Sequence, residues 1–167
     1  MRLDDAGPLS GSVPDGVVPL LGYREWAVWR EGSRPTRLRS LFHPTVWPAG
    51  RPLGAVCLRP LIWHARTGSR HDGVPDLLCE CGIYAFREPG FDTLRGAKGP
   101  KVRGVVYGWG RYVLGTSGWR TEFARVMALL EDRDNPATCR ELARGYDIPV
   151  CATLREAAHE LRPAVSF

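Results

Sequence analysis

The chain has 167 residues, 44% of them hydrophobic and 25% charged, which is enough apolar material for the core of one soluble domain. No apolar run approaches the roughly twenty residues needed to cross a bilayer as a helix, so a helical membrane protein is excluded. Lys plus Arg is 23 against 18 for Asp plus Glu, a net charge of +5, which allows an anionic partner without requiring one.

In chain order, residues 1–20 are rich in Gly, Pro, Ser and Asp and read as a flexible tail. Residues 21–167 then form a single α+β domain, with a β body over 21–130 and a helical tail over 135–162. Gly22 to Arg30 alternates in part and is aromatic, so it reads as a strand. Arg37 to Phe42 is a second candidate. The loop from His43 to Gly50 is broken by Pro44, Pro48 and Gly50. Leu53 to Leu58 is a short strand, and residues 59–78 hold no clear element. Gly82 to Arg87 fits a strand or a helical turn. Val102 to Leu114 is the best strand, with Val105, Tyr107, Trp109, Arg111 and Val113 on one face. Gly104, Gly108 and Gly110 lie on the other, where a second backbone, a ligand or sharp curvature is expected. Gly115 to Gly118 reads as a hairpin turn, followed by Trp119 to Leu130. Helical propensity competes there with a returning strand, and the hairpin favours the strand. Asn135-Pro136 opens one helix. Thr153 and Glu156 form a capping box for another, reaching about Leu161.

The chemistry concentrates in the middle. Cys57, His71, Cys79 and Cys81 make C-x13-H-x7-C-x-C, three thiols and an imidazole, which is a complete donor set for a tetrahedral zinc site. His64 is an alternative to His71. Gly82 lets the backbone turn after Cys81. The start, Met1-Arg2-Leu3-Asp4-Asp5, does not read as a secretory leader, so a cytoplasmic setting with reduced thiols is expected, where clustered cysteines favour metal over disulfides. Buried apolar thiols, a disulfide formed under oxidation, and a cysteine nucleophile paired with His64 or His71 stay open as alternatives.

Only Lys98 and Lys101 are lysines, so the positive charge is almost all arginine, which forks onto phosphate and stacks on rings. Of six tryptophans, Trp47 and Trp63 fall in loops, where core packing explains an indole less well. Residues 141–157 echo a helix-turn-helix, but the turn is one residue too long and Asp147 stands where glycine is usual. A packing pair, with Leu142, Ile148, Leu154, Ala157 and Leu161 facing the β body, explains the pattern better. No phosphate-binding glycine loop, dinucleotide fingerprint or H-E-x-x-H motif is present.

The ordered elements G-Y-x-x-W at 22–26, W-P-A-G at 47–50, A-V-C at 55–57 and P-D-L-L-C-E-C-G-I-Y-A at 75–85 continue into G-W-G-R-Y-V at 108–113 and G-W-R-T-E-F-A at 118–124. Over residues 22–130 the chain resembles small hypothetical proteins of actinobacteria and their phages. That resemblance implies a bacterial, cytoplasmic setting and no particular activity. The V-x-G-x-V-x-x-W-G rhythm at 102–110 is similar to strands of the small barrels in PUA and ASCH domains, which implies binding of RNA or modified bases.

The sequence thus predicts a curved antiparallel sheet or small β-barrel with a zinc-stapled loop region and two C-terminal helices. Its expected role is a zinc-stabilised, non-enzymatic binding module for nucleic acid or a nucleobase-like ligand. Trp47, Trp63 and Trp109 would stack on bases, and Arg66, Arg70, Arg103 and Arg111 would meet phosphate. Structural zinc would sit on Cys57, His71, Cys79 and Cys81. The alternatives are a cysteine- or zinc-dependent hydrolase or transferase, and a protein-interaction adaptor with an apolar patch around Trp47 and Trp63.

Overall fold

The computed structural model describes residues 17–32, 36–57, 73–90 and 99–161. Among these, the strands are β1 (Leu20–Trp29), β2 (Arg37–Arg39), β3 (Leu53–Gly54), β4 (Ile83–Phe86), β5 (Lys101–Leu114), β6 (Gly118–Leu130) and β7 (Val150–Cys151), and the helices are α1 (Pro136–Tyr146) and α2 (Leu154–Leu161). The architecture is a mostly antiparallel sheet with two helices. Among the described residues only β7 runs parallel to its neighbour, pairing Leu129 with Val150 and Leu130 with Cys151. No helix of the described residues is long and apolar enough to cross a membrane.

The β5–β6 hairpin is the spine. Its turn is closed by the Gly115 N–H donating to the Gly118 carbonyl at 2.8 Å. The TEFARVMALL stretch is a strand despite its helical propensity, because cross-strand pairing with β5 and burial on the sheet outweigh fractions of a kcal/mol per residue. β5 also pairs with β1 from Leu20↔Gly108 to Ala27↔Lys101. β4 lies along β6 and meets β1 at one register pair, Tyr23↔Phe86. The strands β1, β5, β6 and β4 therefore form a closed circuit, but an uneven one, with a long hairpin on one side and a single pair at the seam.

The glycine face of β5 has a packing explanation. A Cβ on Gly108 would lie 2.6 Å from the Trp119 ring, and one on Gly22 would lie 2.6 Å from the same indole. Trp119 thus sits between two bare backbones, its Nε1 donating to the Leu21 carbonyl at 3.1 Å. Gly104 is crowded by the Ala128 carbonyl and the Trp26 ring.

Two apolar clusters result. One unites Trp26, Leu38, Trp47, Val106, Trp119, Leu129 and the α1 residues Leu142 and Tyr146. The other joins Tyr23, Val105 and Ala128 to Leu154, Ala157 and Ala158 of α2. Ile148 packs on the first cluster and Leu161 on the second, so both helices use their apolar sides against the body. The link between them is the strand β7, which accounts for the departures from helix-turn-helix spacing. Asp147, at φ 54°, ends α1 in the left-handed region. The Thr153 hydroxyl accepts the Glu156 N–H at 3.1 Å and starts α2.

The second predicted strand is shorter than expected. The chain turns back after Arg39, with Ser40 N–H donating to Thr45 O at 2.9 Å and Trp47 N–H to Leu38 O at 2.8 Å. Tyr146 locks this fold-back, its hydroxyl donating to the Trp47 carbonyl at 2.7 Å and accepting the Leu38 N–H at 3.0 Å. Tyr146→Phe leaves both buried groups short of a partner. It is expected to cost about 1–3 kcal/mol in urea unfolding, and an unchanged midpoint would contradict this role.

Candidate metal centre

The site is built at a break in a strand. β3 and β4 both run antiparallel to β6, and both use the edge that β5 leaves free. Gly54 lies opposite Phe123, the Ala55 N–H donates to the Glu122 carbonyl at 2.7 Å, and Ile83 lies opposite Thr121. β3 therefore leaves the edge of β6 where β4 joins it. Cys57 stands just past the end of β3, and Cys79 and Cys81 just before the start of β4. The sequence separates these halves by more than twenty residues; β6 puts them end to end.

At this junction the three Sγ atoms lie within 4.8 Å of one another. Cys57 Sγ and Cys79 Sγ are 3.7 Å apart. A tetrahedral ion with metal–sulfur bonds of about 2.3 Å places its sulfurs about 3.8 Å apart, so the spacing suits a shared ion. None of the three is in a disulfide; Cys79 is buried, while Cys57 and Cys81 are partly exposed.

The surrounding contacts fix the two thiols of the turn. Arg120 Nη1 donates to the carbonyls of both Cys79 and Cys81, the latter at 3.0 Å, and its guanidinium lies 5.7 Å from the Tyr84 ring centroid. The Asp76 carbonyl accepts the Cys79 N–H at 3.2 Å, and its Oδ1 accepts the Leu78 N–H at 2.9 Å. The Tyr84 hydroxyl donates to the Glu80 carbonyl at 2.7 Å. Gly82 has φ +119°, and a Cβ there would lie 3.0 Å from the Pro75 Cβ. The glycine after Cys81 is thus required both for the left-handed backbone and for space.

Burial pushes the Cys81 thiol up to about 11; a backbone hydrogen bond at Asp76 opposes the rise, and the Cys79 and Cys57 sulfurs add to it. Gathered thiols resist ionising together, and a divalent cation is what reverses that resistance. Three cysteines are thus positioned to hold a metal ion. His71, the expected fourth donor, and His64, its alternative, lie outside the described residues.

The residues expected to meet a ligand are dispersed. Trp63, Arg66 and Arg70 also lie outside the described residues. Trp47 is 1% exposed, edge-on to Trp26 at 5.4 Å, with its Nε1 donating to Ser40 Oγ at 3.1 Å. Its loop folds back onto β2, so the indole is a core side chain and not a surface platform. Trp109 is 7% exposed and stacks on Phe123 at 6.2 Å. Arg103 pairs with Glu25 at 3.0 Å. Arg111 follows a bulge in β5, its N–H donating to Glu122 Oε2 at 3.1 Å, and its guanidinium packs on Gly73 at the start of the cysteine turn.

Sequence reasoning passed over Arg24. Its guanidinium lies 5.1 Å from the Trp47 ring centroid and donates to Ser40 Oγ and to the Tyr84 carbonyl across the β1–β4 seam. Burial lowers its pKa to about 10. An arginine next to Tyr23 and two positions before Trp26, on an aromatic strand, is the only signal the sequence offers. Arg120, which ties the cysteine turn to β6, sat within the recognised G-W-R-T-E-F-A element but had no sequence neighbour to reveal its partners.

No protein-family model, curated protein or solved structure matches this chain.

Proposed function

We propose that the chain is a zinc-stapled binding module for nucleic acid or a nucleobase-like anion, with zinc as a structural ion on Cys57, Cys79, Cys81 and His71, and His64 as the alternative fourth donor. The observation that carries the reading is the meeting of three thiols at the break between β3 and β4. An ion there ties together the two ends of the segment that contains Trp63, Arg66 and Arg70. Long loops anchored at both ends on a rigid sheet are common carriers of binding residues. Arg111, exposed and packed on Gly73, lies beside that anchor. Trp47 and Trp109 are buried, and Arg103 is already paired, so the ligand roles fall to Trp63, Arg66, Arg70 and Arg111. In this reading the uneven strand circuit acts as a small barrel, and the similarity of its glycine-rich strand to PUA and ASCH barrels supports a base-like ligand.

Titrating the zinc-loaded protein with single-stranded DNA and RNA tests the ligand. Tryptophan fluorescence is expected to change with an affinity of tens of micromolar or tighter and to weaken as salt rises. Absence of salt-sensitive binding in that range rejects the nucleic-acid reading and leaves the metal centre standing.

One observation favours a second reading, a protein-interaction adaptor. Val56, Leu77 and Leu78 are 71%, 79% and 93% exposed, and they immediately precede Cys57 and Cys79. That reading predicts no anion affinity and loss of partner binding on Leu78→Glu. A cysteine nucleophile is less well served, since burial raises the Cys81 thiol instead of lowering it.

A further inference from the structure

We infer that Cys57 and Cys79 form a redox-modification site, where oxidation exchanges the metal staple for a disulfide between the same two segments. The inference rests on the proposed metal reading. Its basis is the geometry of the cluster. Cys57 Sγ and Cys79 Sγ lie 3.7 Å apart, and both belong to backbone held on the edge of β6. A disulfide needs the sulfurs to approach to about 2.05 Å, a closure of less than 2 Å that rotation of two side chains can supply. Cys79 and Cys81 are separated by one residue, and both carbonyls are held by Arg120, so that pair has less freedom to join.

Exposure sets the order of events. Cys57 is partly exposed and Cys79 is buried, so a peroxide reaches Cys57 first. The Cys57 thiolate attacks hydrogen peroxide; the O–O bond breaks, one oxygen stays on sulfur as the sulfenic acid, and the other leaves as hydroxide. The Cys79 thiolate then attacks the Cys57 sulfur; the S–S bond forms, the S–O bond breaks, and a second hydroxide departs. The two thiolates lose two electrons and peroxide gains them. The ion loses two of its three described ligands and is released, yet β3 and the turn before β4 remain joined, now covalently. Cys81 is left as a thiol. The fold thus keeps its staple in either redox state, and the signal is the ion itself and the freed Cys81.

The test uses the full chain loaded with zinc. Metal content is measured first: less than one zinc per chain defeats the metal reading of the preceding section before oxidation is begun. The loaded protein is then treated with stoichiometric hydrogen peroxide, released zinc is followed with a chromogenic chelator, and the disulfide is mapped by mass spectrometry after digestion with trypsin, which cuts after Arg66 and Arg70 and so separates Cys57 from Cys79, together with a Glu-specific protease. Cleavage at Glu80 separates Cys79 from Cys81. Expected is one disulfide joining the Cys57 and Cys79 peptides for each zinc released, with an unchanged far-ultraviolet circular dichroism spectrum. Cys81→Ser is expected to form the same bridge. Zinc retained under peroxide, zinc lost with only sulfinic acid formed, or a Cys79–Cys81 bridge would each overturn the inference while leaving the metal centre intact. Because the mapping is done on the unsubstituted chain, misfolding of a variant does not affect it.

Discussion

Stripping the ion from the zinc-loaded protein with a strong chelator lowers its melting temperature by about 8–16 °C. A ligand at about a thousandfold over its dissociation constant stabilises the folded state by about 4 kcal/mol, and each kcal/mol moves the midpoint by about 2–4 °C in a domain of this size. The structure says where the loss falls. Without an ion, this segment keeps two register pairs, Leu53↔Ala124 and Gly54↔Phe123, and the Ala55–Glu122 hydrogen bond to hold it on β6. Hydrogen exchange is therefore expected to rise first at Ala55, whose N–H is bonded to Glu122, while the β5–β6 hairpin stays protected. Cys57→Ser and Cys79→Ser reproduce the effect. Cys151→Ser does not, because that thiol lies on β7, outside the cluster. Equal melting temperatures with and without chelator would show that the thiols gather for packing alone.

Trp47→Ala is the second large effect. Truncating a buried tryptophan costs about 3–5 kcal/mol through lost apolar burial and the cavity left behind. The ring is fully enclosed, and its removal also uncovers the Arg24 guanidinium stacked 5.1 Å from its centroid. Ser40 loses the Nε1 donor at the same time. Chemical denaturation at equilibrium measures the cost. A variant that kept wild-type stability but lost ligand affinity would restore Trp47 to the ligand role its loop position suggested, against its packing.

Why Trp47 misleads is instructive. Pro44, Pro48 and Gly50 correctly mark an irregular segment, and irregular segments are mostly at the surface. Here the fold-back on β2 carries the segment inward, and its polar backbone is satisfied by Leu38, Ser40 and the Tyr146 hydroxyl. Of these partners Tyr146 comes from α1, about a hundred positions away, so local pattern could not report it. The long strands β1, β5 and β6 and both helices were legible because alternation, the glycine turn, Pro136 and the Thr153 cap are local signals. The three cysteines were legible as a donor set by residue type alone. What the sequence lacked was the reason they meet. That reason is the register of β3 and β4 on one edge of β6, a long-range pairing with no short-range trace. Arg103 shows the same limit from the other side: local pattern suggests a phosphate contact, and its ion-pair partner Glu25 lies opposite it on β1, far away in sequence.

The interrupted strand has a consequence for how this protein tolerates change. Residues 55–82 enter and leave the sheet at adjacent points on the same edge of β6, so the circuit of long strands does not depend on how many positions intervene. Lengthening a tethered segment twofold costs only about 0.6 kcal/mol in closure entropy. The stretch between Cys57 and Cys79 is thus a natural splice point. Insertions of differing length there are expected to leave the long strands in register, as long as the cysteines, the proposed histidine donor and the Pro75–Asp76 turn before Cys79 are kept.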